Sequence, residues 1–164
     1  TATTEIYTLT LHDALPIWRD IIGTPKSMLR KFEHQMLDQQ WEQVHAGLEV
    51  KRCASPEGTD EVFILCRSSA QREKEHAMHE LFRRRIEEGL ERIREQCAKR
   101  RVKDMRVVER RIGRLMQKNM RAAAMFTVST REEDGRVIVA WTMNETSKEW
   151  ARLSEGYYML RSNI

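Results

Sequence analysis

A long stripe of apolar residues is the strongest constraint that the sequence places on the fold. From Met78 to Cys97, apolar side chains recur at steps of 3, 1, 4, 4, 3 and 4, the spacing of one face of an α-helix. Ser68 and Ser69 precede this stretch and are favourable N-cap residues. We therefore predict a helix of about 25 residues whose apolar side other parts of the chain must cover. The stripe comprises Met78, Leu81, Phe82, Ile86, Leu90, Ile93 and Cys97.

The other side of this helix carries charges of alternating sign, which predicts a solvated face. The alternating residues, four apart, are Glu80, Arg84, Glu88 and Arg92. His76 and His79 stand three apart, a spacing compatible with metal binding. No Asp, Glu or Cys completes a recognisable ligand set, so we expect two exposed histidines.

Two β-hairpins are predicted, one before the long helix in the sequence and one after it. Leu48–Cys53 and Glu61–Arg67 flank a Ser-Pro-Glu-Gly segment with turn-forming residues. Met125–Thr130 and Arg136–Met143 flank a segment that contains Asp-Gly, a strong hairpin-turn signal.

A helix is also predicted near the start of the chain. Ser27 is its expected N-cap, its apolar face continues through Trp41 and Val44, and Gly47 ends it. Residues 21–25 before it form a short strand that ends in a turn.

The last part of the chain combines a helix and a strand. The helix starts at Thr146 or Ser147 and stops at Gly156, and the strand Tyr157–Ile164 follows. Together the elements predict an α+β fold.

The positive charge is concentrated in one stretch. The chain has 29 Lys and Arg against 25 Asp and Glu, a net charge of +4. Residues 99–121 contain ten basic and two acidic residues, a net charge of +8, so the rest of the chain is net −4.

A helix from Met105 to Ala124 separates this charge from the apolar residues. At 100° per residue, the apolar side comprises Val108, Ile112, Leu115, Met116, Met120 and Ala123. The opposite side, between about 200° and 300°, is basic without an interleaved acid. We hypothesise that it contacts phosphate groups through Arg110, Arg111, Arg114, Lys118 and Arg121. The alternative is a solvated face or pairing with an acidic neighbour.

Composition excludes several classes of protein. Gly 7, Pro 3 and Cys 3 exclude collagen-like and disulfide-stapled chains, and no apolar run reaches the roughly 18 residues of a membrane span. No two cysteines form a C-x-x-C pair, and we expect Cys66 and Cys97 to be buried, unreactive thiols in a reducing cytoplasm.

Residues 1–17 contain no Lys or Arg. They resemble the translated read-through of a sequencing-library adapter, and we set them aside as non-native. The alternative is a native disordered arm or edge strand. Because the sequence begins without Met and ends within an apolar strand, we expect a chain truncated on both sides.

Two blocks of the sequence are distinctive, residues 21–33 (IIGTPKSMLRKFE) and 150–164 (WARLSEGYYMLRSNI). Three shorter blocks lie between them, at residues 47–51, 61–67 and 109–115. Together these blocks resemble bacterial insertion-sequence transposases of the DDE class, which have an RNase H-like catalytic domain. The order and spacing of the blocks carry the resemblance, which covers essentially all of residues 18–164.

The resemblance implies a parent enzyme in which three carboxylates hold two divalent metal ions, Mg²⁺ or Mn²⁺, for in-line phosphoryl transfer. In the family the second Asp precedes the strand that residues 21–22 continue, and the Glu lies beyond residue 164. Residues 18–32 would then end a partial core, residues 33–156 form an insertion region and residues 157–164 return to the core. No residue here is assigned a catalytic role, Asp20 included.

The implied function is DNA transposition by the full-length parent, to which this piece contributes DNA-backbone binding. A homodimer of the parent is one of the assemblies that the resemblance allows. The alternative is a non-enzymatic module whose long helix pairs with itself. A third interpretation is a reading frame that is not expressed.

Because the implied catalytic carboxylates fall outside this sequence, we predict that the purified chain is inactive on DNA. Incubation of labelled DNA with the chain and Mg²⁺ or Mn²⁺ should give no strand cleavage or joining. Metal-dependent products on a sequencing gel would overturn this assignment.

Overall fold

The structure, a computed structural model, describes residues 21–162. The adapter-like residues 1–17, Asp20 and the last two residues of the strand expected at 157–164 lie outside the described residues. Helices and antiparallel sheets together make up the described part of the chain, so the predicted α+β class is confirmed.

The described residues divide into two compact units. The first comprises residues 21–67 and 157–162, and the second comprises residues 68–156. Residues 33–67, which the resemblance assigns to the insertion region, pack within the first unit. The segmentation implied by the resemblance stays a prediction.

The first unit is built on a five-stranded sheet in the order β1-β7-β4-β3-β2. Its strands are β1 (Ile21–Gly23), β2 (Glu42–His45), β3 (Leu48–Ala54), β4 (Val62–Ser68) and β7 (Tyr157–Ser162). Its helical segments are a 3-10 helix (Lys26–Phe32) and α1 (Glu33–Leu37). The first predicted hairpin is confirmed as β3 and β4, which are neighbours in the sheet.

Strand β7 lies between β1 and β4, two strands that come much earlier in the chain. Ser162 is opposite Ile21 of β1 on one side and opposite Val62 of β4 on the other, and both pairings are antiparallel. Thr24 also donates backbone and side-chain hydrogen bonds, each of 3.0 Å, to the Met159 carbonyl.

The core of the first unit joins the helical segments to the sheet. Phe32 of the 3-10 helix packs on Phe63 of β4, with ring centroids 5.3 Å apart. The buried apolar residues of this unit are Leu29, Phe32, Met36, Cys53, Phe63, Leu65, Cys66 and Met159. All three thiols of the chain are buried and unpaired, as expected for Cys66 and Cys97, and burial raises their pKa.

The prediction that the first helix continues to Val44 is wrong. Helical structure ends at Leu37, and residues 42–45 form β2, which pairs with β3. Trp41 instead packs edge-on against Tyr157, with centroids 5.8 Å apart. Tertiary pairing here overrides local periodicity, and Val44 remains 60% exposed.

The N-cap prediction for the same segment is also wrong. Pro25, not Ser27, precedes the 3-10 helix, and no side chain caps it. The Pro25 carbonyl accepts the Met28 N–H at 3.0 Å, which closes the first turn.

The second unit is assembled around one long helix. Its elements are α2 (Ser69–Ala98), α3 (Met105–Lys118), α4 (Met120–Ala123), β5 (Phe126–Glu133), β6 (Arg136–Met143) and α5 (Glu145–Ser154). The Ser68 side chain accepts the Gln71 N–H at 3.3 Å, so the predicted cap of α2 is confirmed. No helix in residues 21–162 is both long and apolar enough to cross a membrane.

The apolar stripe of α2 is covered by the rest of its unit. Ile86 and Leu90 are fully buried against α4 and the start of β5, and Cys97 is buried beside Val108 of α3. Val137 and Val139 of β6 complete the cluster around Cys97.

Helices α2 and α3 approach closely at a glycine. A Cβ on Gly89 would stand 2.6 Å from both methyl carbons of Leu115. The absent side chain at Gly89 therefore makes room for Leu115, which packs against the core formed by Ile86 and Leu90.

The second predicted hairpin is confirmed as β5 and β6. Asp134 and Gly135 form its two-residue turn with φ of 51° and 68°, the left-handed conformation that Asp-Gly adopts readily. Helix α5 begins at Glu145, one or two residues before the predicted start at Thr146 or Ser147, because Asn144 is the N-cap and accepts the Ser147 N–H at 3.0 Å.

The chain enters and leaves the second unit at one point. Ser68 N donates to the Gly156 carbonyl at 2.9 Å, and Gly156 N donates to the Glu75 carboxylate at 2.9 Å. Gly156 has φ of 79°, and a Cβ there would stand 2.6 Å from Cβ of Arg72 and 2.7 Å from the Ser68 carbonyl oxygen.

We predict that Gly156→Ala destabilises the protein by about 2 kcal/mol or more, because the left-handed conformation and the contacts with Arg72 and Ser68 both oppose a methyl group. Gly113→Ala is the control, since Gly113 lies within α3 with open space around it. That change should stabilise the protein by about 0.5–1 kcal/mol. Thermal unfolding followed by circular dichroism checks both, and equal stability of the two variants would contradict the prediction.

Candidate nucleic-acid interface

Helix α3 has one buried and one exposed side. The Asp104 side chain caps it by accepting the Arg106 N–H at 2.8 Å. Val108 is fully buried, and Ile112, Leu115 and Met116 pack against the core of the second unit. This apolar side fixes the rotation of the helix, so the residues opposite it face solvent.

Four basic residues at intervals of four occupy the exposed side, and we call them the basic ridge. They are Arg106, Arg110, Arg114 and Lys118, all exposed. At 1.5 Å per residue the ridge extends about 18 Å, with about 6 Å between successive members. Among residues 21–162, no acidic side chain forms an ion pair with any of the four.

Three of the five residues predicted to contact DNA belong to the ridge, namely Arg110, Arg114 and Lys118. Arg111 is exposed on its flank, and its guanidinium donates to the Gln96 side-chain oxygen of α2 at 2.6 Å. Arg121 lies beyond the ridge on α4, where its guanidinium donates to the Met78 sulfur at 3.6 Å.

The helix expected from Met105 to Ala124 is interrupted at Asn119, which is a correction. Asn119 leaves the helical conformation with φ of −124° and ψ of 37°. Its buried side chain donates to the Leu115 carbonyl at 2.8 Å, and its own carbonyl accepts the N–H groups of Ala122 and Ala123. Met120, which follows the break and was expected on the apolar side, is 72% exposed, whereas Ala123 packs against the core as expected.

Arg106 belongs to the ridge although the sequence argument did not select it. Its helical angle, about 160°, falls outside the sector used to define the basic side. The four-residue spacing back from Arg110 is the signal that identifies it.

The acidic residue within α3 is directed away from the ridge. Glu109 accepts a hydrogen bond of 3.2 Å from the Thr130 hydroxyl of β5. It lies at about 100° on the helical wheel, on the side facing the hairpin rather than the ridge.

Charges on α2 are arranged differently, because they pair with one another. Arg83 lies 2.9 Å from Glu80 and 2.8 Å from Glu87. Arg94 lies 2.6 Å from Glu91. Among the residues of alternating charge, Glu88 and Arg92 form an ion pair at 3.7 Å, whereas Glu80 pairs with Arg83 rather than with Arg84.

The two histidines of α2 share a carboxylate. The Nδ1 atoms of His76 and His79 lie 3.1 Å and 2.9 Å from the two oxygens of Glu155, which is 5% exposed. His76 is exposed as expected, whereas the side chain of His79 is only 17% exposed, which corrects the expectation. Sequence reasoning missed this cluster because its members are 79 and 76 residues apart.

The described residues do not fit a metal centre. Across residues 21–162, no three His, Cys, Asp or Glu side chains are grouped so that they could hold a metal ion. We therefore derive no metal-dependent step from these residues.

Comparisons with protein-family models, curated proteins and solved structures give no match for this chain. The basic ridge and its geometry therefore carry the functional argument together with the sequence blocks.

We predict that Glu155→Ala lowers the free energy of unfolding by about 2 kcal/mol, because it leaves the largely buried His79 without its acceptor. Glu149→Ala is the matched control, since Glu149 is exposed on α5, the helix that ends just before Glu155. Its effect should stay within about 0.5 kcal/mol. Thermal or urea unfolding measures both changes, and a similar loss in the two variants would refute the role assigned to Glu155.

Proposed function

We propose that this chain is a segment of a DNA transposase of the DDE class and that its second unit binds the DNA backbone through the basic ridge. The observation that carries the binding proposal is the ridge itself, four exposed basic side chains in line on a helix whose opposite side is buried.

The electrostatics of α3 favour an external anion. Like charges four residues apart on a helix repel by roughly 0.2–0.5 kcal/mol per pair, and the ridge contains three such pairs. On α2 the chain relieves this repulsion with glutamates, as at Arg83, but on the ridge it does not. Phosphate groups would supply the missing negative charge.

The kind of contact determines the kind of binding. Lys and Arg that neutralise phosphates release condensed counterions, so affinity falls with salt. Four contacts give a slope of log K against log salt of roughly −3.6, and the slope becomes steeper if Arg111 takes part. Phosphate contacts carry no base information, so binding should be nearly independent of DNA sequence.

Assignment to a transposase is supported by the sequence blocks and by their position in the fold. The blocks at residues 21–33 and 150–164 include β1 and β7. Although far apart in sequence, these strands pair directly, with Ile22 opposite Arg161. This pairing is consistent with an RNase H-like core whose sequence is interrupted by the second unit, residues 68–156.

In the full-length parent, the metal-dependent phosphoryl transfer implied by the resemblance would be carried out by carboxylates outside this sequence. The contribution of the present residues is to hold DNA. Arg and Lys suit this role, since Arg binds phosphate with two parallel N–H groups and Lys acts as a point charge.

In the alternative function, α2 pairs with a second copy of itself through its apolar side. That side of α2 is not exposed. Ile86, Leu90 and Cys97, which such pairing would require, are at most 2% exposed because their own unit covers them. Sedimentation of the purified chain distinguishes the two functions, since a tight dimer without DNA affinity would favour the alternative.

We predict that reversing two ridge charges, Arg114→Glu with Lys118→Glu, weakens binding to a short fluorescent DNA duplex by at least about tenfold in 0.1 M salt. The salt slope should fall in magnitude from roughly 3.6 to roughly 1.8, because two of four phosphate contacts are lost. Fluorescence anisotropy measured across a salt series reports both quantities.

The matched control is Arg84→Glu with Arg92→Glu, which changes the net charge equally on the exposed side of α2. The control should keep a slope near that of the wild type. Equal losses in the two variants would show that only net charge matters and would reject the ridge. Tighter binding to duplex RNA than to duplex DNA would reject the transposase assignment.

A further inference from the structure

The turn between α2 and α3 holds an arginine in an unusual backbone conformation. Arg100 has φ of 53°, in the left-handed region that L-residues with long side chains adopt at a cost. It lies two residues after the end of α2, within the most basic stretch of the chain.

Hydrogen bonds around this residue define how α2 ends. Arg101 N donates to the Gln96 carbonyl at 2.9 Å, and Arg100 N donates to the Cys97 carbonyl at 3.0 Å. These two bonds form a Schellman motif, whose left-handed position is occupied here by Arg100. Glycine is the favoured residue at that position because it has no Cβ to oppose the conformation.

Elsewhere in residues 21–162, glycine holds four of the left-handed positions, namely Gly47, Gly58, Gly135 and Gly156, and Asp134 holds the fifth. Asp tolerates this conformation in a turn, because its short polar side chain can form local hydrogen bonds. Arg100 is therefore the one long side chain in the left-handed region among the described residues, and glycine would suit its backbone conformation better.

The Arg100 side chain extends into solvent without a polar contact to the described residues. It is exposed, and its guanidinium has no hydrogen-bond or ion-pair partner among the described residues. Arg101 and Lys103, also exposed, continue the basic sequence from this turn to Arg106, the first member of the basic ridge.

We infer that Arg100 is a further phosphate contact and that the α2–α3 turn extends the DNA-binding surface beyond the basic ridge. This inference rests on the proposed function. It predicts that one substitution, Arg100→Gly, raises the stability of the protein and weakens DNA binding. Glycine removes the cost of the left-handed backbone, but it also removes the guanidinium that contacts the phosphate.

The test is Arg100→Gly in the full 164-residue chain, assayed with the same fluorescent DNA duplex. We expect Tm to rise by about 2–4 °C, since glycine removes the backbone penalty. The salt slope should fall in magnitude by about 0.9, and affinity in 0.1 M salt should fall at least about threefold.

Two further variants separate the effect of the side-chain charge on DNA binding from the effect of the backbone conformation on stability. Arg100→Lys keeps the charge and the left-handed penalty, so it should keep the wild-type slope without a gain in Tm. Arg92→Gln removes one exposed charge from α2 and should leave the slope unchanged.

The outcomes discriminate between the inference and the function on which it rests. If the ridge reversal lowers the slope but Arg100→Gly does not, the inference fails and the proposed function stands. If the wild-type chain has no salt-dependent DNA affinity, both fail. A higher Tm together with a smaller slope supports both.

Discussion

The burial of one side of α2 is the interaction on which the second unit depends. Ile86 and Leu90 are removed completely from solvent, and each such side chain contributes about 1.5–3 kcal/mol through the hydrophobic effect. Helices α3 and α4 and the β5–β6 hairpin all cover parts of this stripe. Because α3 is held by its own apolar side, its basic side is directed outward without any contact needed to place it.

The two long helices differ in how their basic residues are compensated. Arginines of α2, such as Arg83, neutralise glutamates one turn away, so the helix is internally compensated. The basic ridge of α3 has no such compensation within the described residues. Pairing of the first kind stabilises a helix in isolation, whereas unrelieved repulsion of the second kind favours association with a polyanion.

Local signals were sufficient wherever neighbouring residues determine structure. The capped helix α2, the hairpin turn at Asp134 and Gly135, and three members of the basic ridge all follow from spacing within one or two turns. Prediction failed where hydrogen bonding overrides the apolar periodicity of the sequence. Residues 42–45 form an edge strand because β3 offers hydrogen bonds, and the buried Asn119 interrupts α3 through its bond to Leu115.

The sequence by itself determined the α+β class, the long amphipathic helix and the concentration of positive charge on one helix face, because periodicity and charge are local properties. Only the tertiary structure decided the insertion of β7 between β1 and β4 and the approach of His76 and His79 to Glu155. It also decided the left-handed backbone of Arg100. Each of these depends on how hydrogen-bonding groups are satisfied once the chain is folded, and residue spacing does not encode that.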